Sequence, residues 1–341
     1  MDFKIDKTYT DWLTTLKSKI ASAQLKAAVS VNTELILLYW EIGKMIATKQ
    51  QNSHWGDGLI PQVARDLKAA FPDVTGFSRS NLYAAKQFYL FYESETEFVH
   101  QLAGQIPWQH HVLILQKNKS MKQALFYIRE TIQNNWSRNI LAIQMETKLH
   151  ERQGAAITNF EQTLSKPQSD LARETLKDPY IFDFLTLENN VQELELERQL
   201  VANITHFLLE LGKGFAFIGR QYELTIGTKD YRIGLLFYHT KLHAYIVLEL
   251  KMGEFKPEYV GKLNFYLSAI DDLLKTEQDQ ATIGILLCKN KDKIEVEYAL
   301  RDINKPIGVS EFRFNELPDN IKSVMPTVAE LENELRGFAE E

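Results

Sequence analysis

Apolar residues recur every three or four positions through the first half of the chain. In YTDWLTTLKSKIASAQLKAAVSVNTELILLYWEIGKMIATKQ, Trp12, Leu13, Leu16 and Ile20, then Leu35, Leu38, Tyr39 and Ile42, give one apolar face per helix. The glycines of HWGDG, His54 to Gly58, punctuate this region, and the next helix, LIPQVARDLKAAF, stops at Pro72. GFSRSNLYAAKQFYLFY follows, with Ser78 as a helix cap and Leu82, Phe88 and Tyr89 as the apolar face. Two shorter amphipathic helices are predicted around Lys119 to Gln133 and Ser137 to His150.

Periodicity weakens from Glu151 to Leu185, where Pro167, Pro179 and the polar run TLSKPQSD stand, and a linker or seam is placed at 151–188. Beyond it the pattern alternates. A helix from about Val191 to Leu211 leads through the turn GKG to the strands AFIGRQYELTI, YRIGLLFYH and AYIVLELK. The helix VGKLNFYLSAIDDLL, the strand TIGILLCK, a short helix VEYALR and a last strand IGVSEFRF complete the series. The chain is thus expected to be a two-domain α+β or α/β protein. A helical domain spans 1–150, an αβββαβ unit with a mixed sheet spans 189–320, and a helical tail spans 321–341.

Composition narrows the class. The chain has 341 residues, 45% hydrophobic and 25% charged, as a folded globular protein does. It holds no apolar run long enough to span a bilayer and has charges where a signal peptide would have its apolar core, so a cytoplasmic protein without membrane contact is expected. Its single cysteine, Cys288 in ATIGILLCK, excludes an internal disulfide and a cysteine-based zinc cage, and reads as a small buried hydrophobe. The net charge of -6 excludes a uniformly basic nucleic-acid coat. Residues 1–150 nevertheless carry 17 Lys+Arg against 13 Asp+Glu, whereas 151–341 carry 22 against 32. Nucleic acid would be held mainly by the first half and by local basic patches.

The candidate chemistry lies in AYIVLELK. A strand turns alternate side chains to one face, so Glu249 and Lys251 point together. A carboxylate there can bind a hard divalent cation, the backbone carbonyl of Leu250 can add an oxygen where the strand edge splays, and the ammonium of Lys251 can steady charge on a phosphate. By itself an acid two residues before a lysine at a strand end is usually a solvated surface pair. In the first half, Ser78, Arg79, Ser80 and Asn81 open a helix after a short turn, with Lys86 and Gln87 extending the polar face; this is the pattern of a helix-turn-helix or of an ordinary capped hairpin. NNWSRN offers Arg138 beside Trp136, either as a nucleic-acid contact or as a helix junction. GKGFAFIG lacks the Gly-Lys-Ser/Thr ending of a phosphate loop and reads as a turn. His239 and His243 flank a hairpin near the acid-x-lysine strand, while the adjacent His110 and His111 diverge on any regular element.

Residues 190–315 resemble the PD-(D/E)XK nuclease superfamily, and the chain as a whole resembles the bacterial YhcG family, which has an N-terminal helical domain of unknown function. The matching stretches include NTELILLYWEIGK, GFSRSNL, NNWSRN, ERQGAAITNFEQTL, LKDPYIFDFL, FLLELGKGFAFIGRQYEL, LLFYH, LELKMGEFKPEYVGKLNFYL, GILLCK and EYALRDINKPIGVSEF. The resemblance implies a restriction-endonuclease-like core and a Mg²⁺- or Mn²⁺-dependent phosphodiester hydrolase acting on DNA. It makes Glu249 the metal-binding acid, Lys251 the catalytic lysine and Glu197 the helical carboxylate that many such cores add; the basic, aromatic segment KPEYVGKLNFY offers Lys256 and Lys262 as nucleic-acid contacts. The family carries Ile-Asp before LLFYH, whereas this chain carries Ile233-Gly234. The primary metal ligand is therefore missing, so weak metal binding and slow or absent cleavage are expected. Asp230 lies four residues away along its strand, about 13 Å, too far to substitute, while Glu223 and Glu197 remain open as replacements. The competing class is a non-catalytic DNA-binding or assembly protein that keeps the nuclease fold. Self-association through the apolar helix faces, and association with a larger nucleic-acid-processing or defence system, are further expectations.

Overall fold

The chain divides into two compact units, one running to Met145 and the other starting at Glu146. The computed structural model describes residues 7–52, 58–118, 120–185 and 192–314. The first unit is helical, with α1 (Lys7–Asn52), α2 (Leu59–Ala70), α3 (Arg79–Tyr92), α4 (Thr96–Gln101), α5 (Trp108–Lys117), α6 (Met121–Asn134) and α7 (Arg138–Glu146). Where the apolar spacing predicts two helices, the structure has the single 46-residue α1. No Gly or Pro interrupts ASAQLKAAVSVNTE, and its alanines favour helix. Only the second half of α1 is packed. Ile36, Tyr39, Trp40 and Ile46 are buried, whereas Trp12, Leu16 and Ile20, expected on an inner face, are exposed. Gly43 sets the approach to α3, because a Cβ there would lie 2.1 Å from the carbonyl oxygen of Ala85. Trp108 stacks on Tyr39 at 4.2 Å and meets Phe88 edge-on at 5.5 Å.

The second unit begins with α8 (Leu149–Arg152), β1 (Ile157–Thr158), α9 (Phe160–Thr163), α10 (Lys166–Thr175) and β2 (Tyr180–Ile181). Then come α11 (Glu193–Ala202), α12 (Ile204–Leu211), β3 (Phe215–Ile226), β4 (Lys229–His239), β5 (Ala244–Glu254), α13 (Pro257–Leu273), β6 (Ile283–Asn290), α14 (Lys293–Leu300) and β7 (Ile307–Arg313). The strand order is β1-β7-β6-β5-β4-β3, with β2 also on β7. β3, β4 and β5 are antiparallel, while β5–β6 and β6–β7 are parallel pairs whose crossovers are α13 and α14. This is the mixed αβββαβ sheet with an αβ extension that the sequence pattern predicts. One face packs Leu235, Phe237, Ile246 and Leu248 against Leu196, Leu200 and Phe207 of α11 and α12. The other packs Leu236 and Val247 against Val260, Leu263 and Leu267 of α13. β5 and β6 are covered on both faces, which is why they read as near-continuous apolar runs. The helix expected over 191–211 is divided at Asn203, whose backbone (φ -112°, ψ 40°) ends α11 and opens α12.

The segment expected to be a linker belongs to the sheet instead. Ile157 and Thr158 pair with β7 on one register, Tyr180 and Ile181 on another, and Phe160, Leu176 and Phe182 are buried. These elements are too short to show a helical or strand period, and single large side chains anchor them. The expected tail at 321–341 lies outside the described residues, as do 54–57 of HWGDG.

ERQ (151–153) and LKDPY (176–180) are tied together by a buried ion cluster. Arg152 donates to Glu210 Oε1 at 2.7 Å and to the Pro179 carbonyl at 2.9 Å, and the Ile181 N–H donates to the same carboxylate at 2.9 Å. Lys177 donates to the Glu210 carbonyl and lies 3.6 Å from its Oε2. Glu210→Ala takes from Arg152 and Lys177 the carboxylate they share. It should cost about 3–5 kcal/mol, the scale for breaking a buried pair by removing one partner. The cost is read as a lowered urea midpoint, with a smaller loss for Glu210→Gln, which keeps an acceptor.

Candidate active site

The β4–β5 ladder ends at Leu235↔Leu248. Gly234 and Glu249 follow that last rung, and there the Gly234 N–H donates to Glu249 Oε1 at 3.1 Å. On the other edge of β5 the ladder to β6 continues through Lys251↔Cys288 and shifts register before Glu254. The three residues that the acid-x-lysine pattern singles out thus lie past the last β4 rung while each stays paired with β6.

The second carboxylate comes from α11. Glu197 is buried, and its Oε1 occupies the space in front of Gly234: a Cβ on residue 234 would lie 2.7 Å from that atom and 3.4 Å from the Leu248 carbonyl oxygen. Gln221 of β3 donates to Glu197 Oε2 at 2.5 Å. Burial first, and then the nearby charge of Glu249, raise the pKa of Glu197 above the ordinary carboxylate value, against the Gln221 hydrogen bond. One turn earlier on the same helix, Glu193 accepts from Lys251 Nζ at 2.7 Å and from the Met252 N–H at 3.4 Å. The ammonium of Lys251 also lies 5.1 Å from the Tyr259 ring centre. From α13, Lys262 Nζ comes within 3.5 Å of Glu249 Oε2. Burial works to lower the Lys262 pKa, but Glu249 and Tyr266, through charge and hydrogen bonding together, outweigh it and leave it raised.

Among the described residues no group of three His, Cys, Asp or Glu side chains is close enough to hold a metal ion. Two carboxylates, Glu249 and Glu197, nevertheless reach residue 234, and the space a Cβ would fill there is lined by carboxylate and carbonyl oxygens. That all-oxygen donor set fits a hard cation such as Mg²⁺, which binds through one or two carboxylates and keeps several waters.

The other sequence candidates are distributed differently. Asp230 accepts from Thr225 Oγ1 at 2.8 Å at the β3–β4 turn, and exposed Glu223 pairs with Arg232 at 3.7 Å, so neither serves residue 234. His239 is not near Glu249: it is buried at the far end of β4, its Nδ1 accepts from the Leu242 N–H at 3.1 Å, and burial lowers its pKa to about 4. Lys256 is exposed beside α13, whereas Lys262 faces Glu249. In the helical unit eight residues separate α2 from α3, more than the three or four of a helix-turn-helix. Ser78 Oγ is used as the cap, accepting from the Asn81 N–H at 3.3 Å. The Asn81 side chain donates to the Gly76 carbonyl at 3.0 Å and accepts from Trp108 Nε1 at 3.3 Å, so it is structural rather than a base reader. Arg79 lies 5.6 Å from the Tyr83 ring centre and is exposed, Lys86 is half-buried two turns along α3, and Arg138 is exposed at the start of α7. Glu193 and Gln221 escape sequence reasoning. The signal for Glu193 is its position four residues before Glu197 on one helix, hence on the same face, while Gln221 becomes visible only through strand register.

Residues 173–326 match the YhcG PDDEXK nuclease domain family, and residues 15–152 match the DUF1016 N-terminal domain family. A relative from Escherichia coli (strain K12) named "Putative nuclease YhcG" is 28% identical in an alignment of 339 positions that covers 88% of this chain and 88% of the relative. Among solved structures, EndoMS in apo form aligns with 39% of this chain at 22% identity and a TM-score of 0.25. An EndoMS–dsDNA2 complex aligns with 40% at 21% and 0.26, and a repair endonuclease from Pyrococcus abyssi with 39% at 17% and 0.25. The alignments cover about half the length of those chains.

The remaining histidine pair is structural. His110 Nε2 bonds the Trp136 carbonyl at 2.9 Å and His111 Nε2 the Ala103 carbonyl at 2.8 Å, so the two rings are held by different partners. Burial lowers the His111 pKa to about 4. Between pH ~6.5 and ~4 the unfolded chain therefore binds a proton that the folded chain refuses, and stability falls as the pH falls. Urea unfolding at stepped pH should show this slope, and His111→Gln should flatten it.

Proposed function

We propose that this chain, which combines a DUF1016 N-terminal domain with a YhcG PDDEXK nuclease domain, acts on DNA through a divalent-cation-dependent phosphodiester hydrolase site weakened by Gly234. The observation that carries this is the convergence of Glu249 and Glu197 on residue 234, with Lys251 two residues along the strand and no carboxylate on residue 234 itself. Mg²⁺ or Mn²⁺ held by Glu249, Glu197 and the Leu250 carbonyl would supply Lewis acidity at a phosphate and lower the pKa of water. The ammonium of Lys251, released from Glu193, would stabilise the negative charge that develops on the phosphate during in-line attack. Glu193 keeps that ammonium compensated when no phosphate is present. Exposed Lys256, and Lys262 once it leaves Glu249, place positive charge beside the site for the DNA backbone. In the helical unit, Arg79, Lys86 and Arg138 are the side chains offered to phosphates.

A second reading, binding without cleavage, is favoured by one specific feature. Lys251 and Lys262 already neutralise Glu193 and Glu249 without a cation.

The two are separated by restoring the acid. The backbone at Gly234 is not in the left-handed region, and the tightest contact of a Cβ is the movable tip of Glu197, so aspartate can be accommodated. Gly234→Asp should raise Mg²⁺- or Mn²⁺-dependent DNA cleavage on the order of 100-fold, the few kcal/mol a catalytic cation contributes, and adding Glu249→Ala should abolish it. A Gly234→Asp chain that binds DNA in gel shifts yet cuts no single-stranded, double-stranded or branched DNA with either cation favours the binding reading.

A further inference from the structure

We infer that the free face of α1 is a dimerisation surface, and that its occupant is the α1 of a second copy of this chain, lying antiparallel to it. α1 runs for 46 residues, yet from Thr14 to Val31 every described side chain except Ala21 is exposed. Asn32 then ties the helix to the bundle by donating to the Gly104 and Ile106 carbonyls at 2.6 and 2.9 Å. Beyond it Ile36, Tyr39, Trp40, Ile46 and Ala47 are buried. At 3.6 residues per turn, Trp12, Leu16, Ile20, Val31, Leu38 and Met45 fall in one stripe, about 150° around the helix from that buried face. The six are between 37% and 71% exposed. One apolar stripe thus runs along both the packed and the unpacked half of α1, and it is free along both. A long helical stretch without tertiary contacts is marginal in water, so the unpacked half needs a partner. The six side chains alone offer roughly 600 Å² per copy, close to the ~800 Å² per partner of a standard interface.

Charge and size select a second copy, and its direction. Lys19 and Lys26 lie on one side of the stripe in the first half of the helix, Glu34 and Glu41 on the same side in the second half, and all four are exposed. When two copies lie antiparallel with their stripes facing, like sides meet. Lys19 and Glu41 stand equally far from Ser30, as do Lys26 and Glu34, so a pair centred on Ser30 sets each lysine opposite a glutamate of the other copy. Such exposed pairs add little affinity but decide orientation. A parallel pair would instead bring opposite sides together and set Lys17 beside Lys19. In the antiparallel register Leu38 falls beside Ala23 of the second copy and Val31 beside its Ala27, large against small, while Met45 meets Leu16.

The test is sedimentation velocity of the full-length chain over a concentration series. Wild type should be dimeric at ~10 μM, since interfaces of this size hold at micromolar concentration or tighter. Ile20→Glu with Leu38→Glu should weaken association at least ~100-fold, and its urea transition should stay cooperative, because both side chains are exposed in the single chain. Lys19→Glu with Lys26→Glu, and Glu34→Lys with Glu41→Lys, should each weaken self-association, and the two chains should associate when mixed. Orientation is read by cross-linking, for which the chain's own cysteine, Cys288, is buried. Leu16→Cys and Met45→Cys chains should each stay unlinked alone under mild oxidation and form a disulfide-linked pair when mixed. A folded Ile20→Glu, Leu38→Glu chain that dimerises as before, or either cysteine chain linking to itself, overturns the inference. A wild type monomeric at ~100 μM, too weak for the interface described, overturns it too: a dimer recovered on removing residues 321–341 would then make that segment the occupant, and loss of DNA binding in the stripe variant would make it DNA.

Discussion

When a backbone N–H gives up its place in a sheet ladder, it must find another acceptor or be left unpaired in the interior. At Gly234 the acceptor is the Glu249 carboxylate, 3.1 Å away. That bond holds β4 and β5 close past their last shared rung and lets them part at a defined point. β5 is clamped from both faces by apolar side chains and from both edges by β4 and β6. The position of Glu249 is therefore a property of the whole sheet rather than of a loop, which is the placement a precise site needs. α11 docks Leu196 and Leu200 into the same core, and this packing aims its polar face, Glu193 and Glu197, at the opening.

Several charges meet there, and their compensation is uneven. Lys251 has Glu193 at 2.7 Å, a short, partly buried pair. Glu249 has the Gly234 N–H and, at 3.5 Å, the half-exposed Lys262, whose contribution solvent screens. Against its burial Glu197 has the amide of Gln221 as donor, and its pKa is raised. The least compensated carboxylate is thus the one that faces the empty side-chain position.

The strands and their order along the chain are legible in the sequence because β5 and β6 are apolar runs bounded by turns, and the expectation that Glu249 and Lys251 share a face follows from side-chain alternation in a strand. The helix break at Asn203 is not, since LERQLVANITHFLLEL keeps its apolar spacing across it. The segment over 151–185 looks like a seam for a different reason: two-residue strands leave no period, and Arg152, Lys177 and Glu210 look solvated until their partners are known. The exposed first half of α1 shows the converse, an apolar spacing that marks a face without saying what covers it. At the site, the departure at Gly234 is visible in the chain itself, but what fills the gap is a three-dimensional fact. Glu197, Gln221 and Gly234 come from a helix and two strands and meet only through register and packing.

The absence of an acid at residue 234 changes the electrostatics in two opposing directions. A third carboxylate would raise the repulsion among buried anions, which without a cation lowers stability, and the same carboxylate would deepen the well for a cation once one arrives. With glycine, Lys251 answers Glu193 and Lys262 answers Glu249, and burial raises the pKa of Glu197. Aspartate would remove that balance and make the fold depend more on bound metal. The choice at one strand position therefore trades stability of the empty site against affinity for the ion, the usual tension between a comfortable fold and a working site. The backbone of Gly234 is not in the left-handed region, so the shape of the strand does not itself require glycine there.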